Sequence, residues 1–255
     1  MKSDTPPACQ GPGTLYGVGA GPGAPDLLTV RAQSILRSCS VICLPVGSYG
    51  ESYAGRIIEH LIDRSRQEVL MTRFSMQRER ELARPARAAA ADIVLERLRE
   101  GLDVAFVTEG DPLVYSTFGY MLEAVRQCSP TIPIKVVPGV SSITAAAASA
   151  CLPLSAWDER IAIVPASYSL GRTGPEDLRI LLHLFHTVVL LKVSPVFDAL
   201  LAVLEEFDLM HHAVFVRRCS TEHEEVVFDL ARLRGQSIDY FSLVIVRNAH
   251  AIGNT

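Results

Sequence analysis

Short apolar runs alternate with segments of helical periodicity along the first half of the chain, from Thr14 to about Pro138. The apolar runs predict buried strands at 15–18, 41–44, 68–71, 104–108 and 134–137. Between them, apolar residues recur every three or four positions and predict helices at 26–37, 53–62, 86–99 and 113–126. Strands that alternate with helices are typical of a mostly parallel sheet covered on both faces.

The second half of the chain has a different pattern. An Ala-rich helix is predicted from Gly139 to about residue 150, and strands dominate after it, at 161–164, 188–192, 213–217, 225–229 and 242–246. Helices are predicted at 175–185 and 195–207. We therefore expect an α/β protein of two α/β domains after a flexible tail at 1–13. The first, 14–138, has a mostly parallel sheet, and the second, 139–255, is of the α+β type with a mixed sheet. Because no long linker joins the domains, they are predicted to pack tightly and leave a cleft.

Composition narrows the class of protein. The chain has 255 residues, of which 49 % are hydrophobic, and no apolar run approaches the roughly 18–20 residues of a membrane helix. We find no leader-like segment and expect a cytoplasmic protein. Its six cysteines form no CxxC pair and no zinc-type cluster, so they are predicted to be reduced, and no metal site is expected. The formal net charge of −4 argues against a nucleic-acid binder.

A glycine-rich segment at 17–23 follows the first predicted strand and precedes a helix. Gly19, Gly21 and Ala24 fit the dinucleotide-binding pattern loosely. Against a dinucleotide, the second strand ends in Cys43-Leu44-Pro45, with no acidic residue to hold a ribose. The segment is therefore a ligand loop of another kind, an NAD site, or a plain tight turn.

Two further motifs stand where strands end. In the first, Glu109 and Asp111 flank Gly110, and in the second, Ser141 and Ser142 follow a Val-Pro-Gly turn. Helix capping explains each motif taken alone. However, the carboxyl ends of parallel strands meet at one edge of a sheet, where ligands bind in open α/β folds. Three such loops together favour a ligand site.

Basic residues are concentrated in one segment. Seven arginines and three glutamates lie between Arg64 and Arg87, on an otherwise acidic chain. A solvated surface laced with salt bridges is the ordinary explanation of such a segment. The alternative is recognition of a polyanionic substrate, since the planar guanidinium pairs well with carboxylates.

Taken together, the motifs resemble those of the tetrapyrrole methylase family. The resemblance rests on a GxGPGxxxLLT loop at 19–29, a Gly-Asp-Pro turn at 110–112 and a Val-Pro-Gly turn at 137–139, and it extends from Thr14 to about Val246. Within the family, the segments 110–118 and 138–142 resemble the precorrin-2 C20-methyltransferase branch. The resemblance implies a homodimer in which S-adenosylmethionine (SAM) binds in a cleft between the two domains. The implied substrate is the polycarboxylate precorrin-2, either metal-free or as its cobalt complex.

The resemblance also assigns residues. It implies that SAM is bound by Pro22, Thr108, Glu109, Gly110, Asp111, Val114, Ser141, Ser142, Lys192, Cys219 and Ser242. A base could remove the C20 proton after methyl transfer, and the candidates for it are Asp111 and Glu109. The substrate is expected to contact Arg73, Arg78, Arg80 and Tyr115.

Other functions compete with this interpretation. A sister activity, such as methylation of uroporphyrinogen or of another corrin intermediate, or diphthine synthesis on a protein, would use the same SAM loops. A non-catalytic nucleotide-binding module is a rival of a different class. SAM titration and methyl incorporation would separate these alternatives.

Overall fold

The computed structural model describes residues 11–47, 50–73, 80–171 and 174–248, without the side chains of 80–84. The chain divides into two compact units, 1–141 and 142–255. The division falls three residues after the boundary expected at 138/139. Most of the expected tail lies outside the described residues. Its last residue, Gly13, donates its N–H to the carbonyl of Leu98 at 2.8 Å.

Unit 1 is built around a five-stranded parallel sheet. Its elements are β1 (Leu15–Gly19), α1 (Val30–Ser38), β2 (Val41–Val46), α2 (Tyr53–Ile58), β3 (Glu68–Arg73), α3 (Arg80–Arg99), β4 (Val104–Thr108), α4 (Phe118–Cys128) and β5 (Ile134–Val137). The strand order is β3-β2-β4-β1-β5, and each pair is parallel. The prediction of a parallel sheet is confirmed.

Helices cover both faces of this sheet, as its strand sequences predict. In β4, Val104 and Phe106 join the core formed with α3 and α4, whereas Ala105 and Val107 join the core formed with α1 and α2. All four side chains are fully buried. Because alternate residues of a strand point to opposite faces, a continuous apolar run such as 104–107 is what a two-sided sheet requires.

Two helices of unit 1 begin later than predicted, and local backbone features explain both differences. Thr29 accepts the N–H of Ala32 on its hydroxyl at 3.1 Å, so this N-cap starts α1 at Val30 instead of residue 26. The helix predicted from residue 113 begins at Phe118. Before it, Tyr115 has a left-handed backbone with φ of 49°, which a helix does not tolerate.

Unit 2 contains the mixed sheet that the sequence predicts. Its elements are α5 (Ser142–Ser149), β6 (Ile161–Pro165), α6 (Ala166–Ser169), α7 (Pro175–Leu184), β7 (Thr187–Leu191), α8 (Phe197–Glu206), β8 (Ala213–Arg217), β9 (Glu225–Val227) and β10 (Ser242–Arg247). The order is β6-β7-β10-β8-β9, in which β6 and β7 are parallel and the other pairs are antiparallel. The predicted fold class of two α/β domains is confirmed.

The core of unit 2 lies mainly between its sheet and helices α7 and α8. Leu178 and Leu182 of α7 pack there with Leu200, Leu201 and Leu204 of α8, and all five are fully buried. Helix α5 packs against β10. Within the described residues, no helix is long and apolar enough to cross a membrane.

Candidate active site

Three loops of unit 1 meet at the carboxyl edge of its sheet. Strands β4, β1 and β5 are neighbours, and they end at Thr108, Gly19 and Val137. The first two loops are paired directly: Gly110 donates its N–H to the carbonyl of Gly21 at 2.7 Å, and Gly21 donates back at 3.3 Å. We call residues 19–24, 109–117 and 138–141 the loop cluster. It joins the three motifs in one place, as the strand ends predict.

Glycine is required where these loops touch. A Cβ atom on Gly19 would lie 2.6 Å from the carbonyl oxygen of Gly110 and 2.6 Å from the backbone nitrogen of Gly139. On Gly139, it would lie 2.2 Å from the same carbonyl oxygen. All three distances are shorter than the contacts that real Cβ atoms make, so the three loops pack backbone against backbone. The motif glycines therefore build the edge itself, and they leave backbone groups close to whatever binds there.

Asp111 ties two of the loops together. Its Oδ1 accepts the N–H of Leu113 at 2.9 Å, within its own loop, and its Oδ2 accepts the N–H of Gly139 at 3.1 Å, across the cluster. Asp111 is not a cap of α4, because that helix begins only at Phe118. Since both carboxylate oxygens hold backbone N–H groups, the geometry gives Asp111 a positioning role in the loop cluster.

Glu109 lies at the start of helix α2. Its carboxylate accepts the backbone N–H of Ala54, in the first turn of that helix, and its own N–H. The residue keeps an exposed surface, yet the protein atoms around its carboxylate desolvate it, and this burial raises the pKa above the ordinary value for Glu. The two backbone hydrogen bonds oppose the shift. Glu109 therefore holds a proton more readily than a fully solvated carboxylate does.

Thr108 carries an unsatisfied hydroxyl. It is 2 % exposed at the end of β4, and its Oγ1 has no hydrogen-bond partner within the described part of the chain. A buried polar atom without a partner is uncommon and calls for a ligand or an ordered water. Nearby on the same edge, Pro22 is buried, while Val114 and Tyr115 are exposed on the loop after β4.

One edge of the sheet of unit 2 brings together the residues assigned to SAM in that unit. Strand β7 ends at Leu191, directly before Lys192, and Leu191 pairs with Leu243. The neighbouring Ser242 pairs with Arg217, the last residue of β8, two residues before Cys219. The predicted strand 188–192 therefore ends one residue early. Lys192 itself is left-handed, with φ of 55°.

This edge of unit 2 concentrates backbone strain. Besides Lys192, Arg218 and Ser220 have positive φ values of 47° and 62°. Such conformations cost about 1–2 kcal/mol for a residue with a side chain, and they cluster at functional sites. Ser242 is 5 % exposed, and its Oγ, like that of Thr108, has no partner among the residues described.

Burial shifts the pKa of an amine and of a thiol at this edge. Burial lowers the pKa of the Lys192 amine. Burial, and secondarily the charge of Glu224, raise the pKa of the Cys219 thiol to about 11. Cys219 donates its S–H to the carbonyl of Ser142, the first residue of α5, at 3.8 Å. Cys219 is therefore a neutral thiol that lines the edge, not a nucleophile.

The predicted substrate arginines are only partly described. Arg73 is exposed at the end of β3, on the same edge of the sheet as the loop cluster. Arg78 lies outside the described residues, and so does the side chain of Arg80. As for metals, the part of the chain that the structure describes contains no group of three His, Cys, Asp or Glu side chains that could hold an ion.

Two contacts at the site have no signal in the local sequence pattern around either partner. The link from Asp111 to Gly139 joins residues 28 positions apart, and only the order of the strands brings them together. The contact of Glu109 with α2 depends on the pairing of β2 with β4 in the same way. Only the start of α2 is marked locally, by the N-cap Ser52, whose hydroxyl accepts the N–H of Gly55.

Comparison with known proteins identifies the family. The sequence model of the Tetrapyrrole (Corrin/Porphyrin) Methylases matches residues 14–233. The chain belongs to this family. The methylase is 31 % identical to the probable cobalt-precorrin-2 C(20)-methyltransferase of Methanocaldococcus jannaschii, over 91 % of the chain and 95 % of that protein. It is 30 % identical to the precorrin-2 C(20)-methyltransferase of Sinorhizobium sp, over 92 % and 96 %.

Solved structures agree with this family. The methylase superposes with a TM-score of 0.67 on uroporphyrin-III C-methyl transferase from Thermus thermophilus in complex with S-adenosyl homocysteine. The two are 25 % identical, and the match covers 92 % of this chain and 97 % of the other. The family predicted from the motifs is confirmed.

Tetrapyrrole methylases use SAM, and the residues present fit that cofactor. In unit 1 the Thr108 hydroxyl is buried without a partner beside loops whose glycines expose backbone groups. In unit 2 the Ser242 hydroxyl is likewise buried, without a hydrogen-bond partner among the described residues. Both residues are among those that the resemblance assigned to SAM. The individual contacts of the eleven assigned residues remain predictions.

Proposed function

We propose that this methylase transfers a methyl group from SAM to C20 of precorrin-2 or of its cobalt complex. The observation that carries the proposal is the similarity, over nine-tenths of the chain, to two proteins named for that reaction. The loop cluster supports it, because the motifs shared with this branch are the ones that build the edge of unit 1.

The reaction requires the protein mainly to align the methyl donor with the ring carbon that accepts the methyl group. Bound SAM would supply a sulfonium, which is already an activated methyl donor, and the ring carbon of a reduced tetrapyrrole is enamine-like. A strong enzymatic nucleophile is therefore unnecessary, and catalysis by positioning is sufficient. In this proposal Asp111 keeps the loops at fixed spacing, and the hydroxyls of Thr108 and Ser242 are available to the cofactor.

Removal of the C20 proton is the one step that a base would assist. We assign it to Glu109 in preference to Asp111, because the Asp111 carboxylate ties two loops of the cluster together, whereas Glu109 keeps an exposed surface. The raised pKa of Glu109 also brings this carboxylate closer to neutral pH, where a general base is most effective. Asp111 then acts on the reaction only through the loops that it holds.

Methyl incorporation tests the proposal directly. The protein is incubated with SAM carrying a ¹³C-labelled methyl group and with precorrin-2, with and without cobalt, and the product is analysed by mass spectrometry and ¹³C NMR. We expect one methyl group at C20. Uroporphyrinogen III serves as the comparison substrate, and methylation of that compound alone, or of neither, contradicts the proposal.

We also propose that the enzyme is a cytoplasmic homodimer. Its partner is a small-molecule tetrapyrrole, and it binds neither nucleic acid nor a membrane. The resemblance to the family supports the dimer, and the sequence supports the location. Light scattering coupled to size-exclusion chromatography checks the mass, and a monomer in solution would contradict the dimer.

A further inference from the structure

Helix α3 carries two arginines with opposite surroundings. Near its carboxyl end, Arg97 forms two hydrogen bonds to Glu68, of 2.8 and 3.0 Å. Ten residues earlier, Arg87 has no carboxylate partner within the described residues. The Nε atom of Arg87 is buried, and it has no hydrogen-bond partner among the described residues. A cation in this condition needs an explanation, because buried donors are normally paired.

The direction of α3 places Arg87 on the ligand side of unit 1. Glu68 is the first residue of β3, so its bonds to Arg97 fix the carboxyl end of α3 at the amino edge of the sheet. Arg87 lies about 15 Å back along the helix, toward the carboxyl edge. The loop cluster occupies that edge, and α4 begins directly after the loop 109–117.

Tyr120 of α4 holds the Arg87 guanidinium. The Cζ atom of Arg87 lies 3.6 Å from the centre of the Tyr120 ring, which is the geometry of a cation–π contact. Arg87 is half-buried, and Tyr120 is 43 % exposed. The stacked ring fixes the plane of the guanidinium and contributes no negative charge that would neutralise it.

We propose that Arg87, stacked on Tyr120, binds a carboxylate side chain of the tetrapyrrole, an inference that rests on the proposed function. A planar guanidinium presents donors in a fork that matches a carboxylate. A half-buried position strengthens that pairing relative to one in open water. The proposal adds a residue to the substrate site and uses none of the loops assigned to SAM.

Substitutions on the same helix test the proposal. We expect Arg87→Gln to raise the KM for precorrin-2 about 10- to 100-fold and to leave the Kd for SAM unchanged. Arg87→Lys keeps the charge but loses the fork, so an intermediate KM is expected. Arg97→Gln is the matched control, and its KM should stay at the wild-type value. Tyr120→Leu should raise the KM, whereas Tyr120→Phe, which keeps the ring, should not.

A binding assay separates this proposal from the proposed function. Fluorescence titration with uroporphyrin III, a carboxylated porphyrin, needs no turnover, and its methyl ester is the uncharged control. If the wild type binds uroporphyrin III and Arg87→Gln weakens that binding, Arg87 is supported even where precorrin-2 is not methylated. The proposal is overturned if wild type and Arg87→Gln bind uroporphyrin III equally, or if the wild type does not bind it. It is also overturned if Arg87→Gln raises the Kd for SAM as much as the KM for precorrin-2.

Discussion

The two candidate edges of this methylase are built largely by different means. In unit 1, Gly19, Gly110 and Gly139 let three loops pack backbone against backbone. In unit 2, residues with full side chains, Lys192 and Arg218 among them, adopt left-handed backbone conformations. The contacts of the first edge depend on the absence of side chains, and Tyr115 is the one residue of its loops that keeps a side chain at a positive φ, whereas the second edge has three such strained residues. Each edge nevertheless contains one buried hydroxyl, of Thr108 or Ser242, that has no hydrogen-bond partner among the described residues.

The largest effect is expected where a side chain is added to the first edge. Gly139→Ala places a methyl group 2.2 Å from the carbonyl oxygen of Gly110, so the loop cluster must separate. We expect a destabilisation of about 1–3 kcal/mol or more and loss of SAM binding. Gly119→Ala in α4 is the control, because its added methyl meets nothing within 4 Å. Thermal unfolding and calorimetric SAM titration measure both variants, and equal behaviour of the two would contradict the backbone packing.

This contrast also explains what the sequence could predict. The parallel strands and the glycine motifs are local patterns, so the carboxyl edge of unit 1 and its three loops follow from them. Unit 2 offers no such motif, because nothing in the types of Lys192 or Arg218 signals a positive φ. The resemblance to the family, not the pattern of residues, assigned Lys192 to the cofactor. The partners of Asp111 and Glu109 were also unpredictable, since they depend on strand order.

The next largest effect is expected from loss of the hydrogen bond between Asp111 and Gly139 in the loop cluster. Asp111→Ala removes the acceptor of the Gly139 N–H, and we expect it to lower the free energy of unfolding by roughly 1–3 kcal/mol. SAM affinity and turnover should fall together. Asp111→Asn retains one acceptor oxygen and should lose less of each. Urea unfolding and SAM titration are the measurements, and lost turnover at unchanged SAM affinity would instead favour a base role.

Smaller effects of opposite sign are expected for the two buried hydroxyls. Thr108→Val and Ser242→Ala each remove an atom that has no hydrogen-bond partner among the described residues, so the unliganded protein should gain about 1 kcal/mol of stability or stay unchanged. SAM affinity should fall about tenfold in each variant if both hydroxyls meet the cofactor. Ser38→Ala at the end of α1 is a useful control, because its hydroxyl is already bonded to the carbonyl of Ile35 at 3.1 Å. Unchanged SAM affinity in one variant would remove that unit's hydroxyl from the cofactor site.

The smallest effect is a pH dependence located in unit 1. Because burial raises the pKa of Glu109 in the folded state, folding favours its protonated form. The contribution of Glu109 to stability is therefore present at low pH and is lost as pH rises from the ordinary Glu pKa through the raised one. Glu109→Gln stays neutral and keeps an oxygen to accept the N–H of Ala54, so the variant should gain stability relative to wild type across that window. Urea unfolding of both proteins from pH 4 upward tests this, and a difference that stays flat with pH would show that the Glu109 carboxylate is solvated in the folded protein.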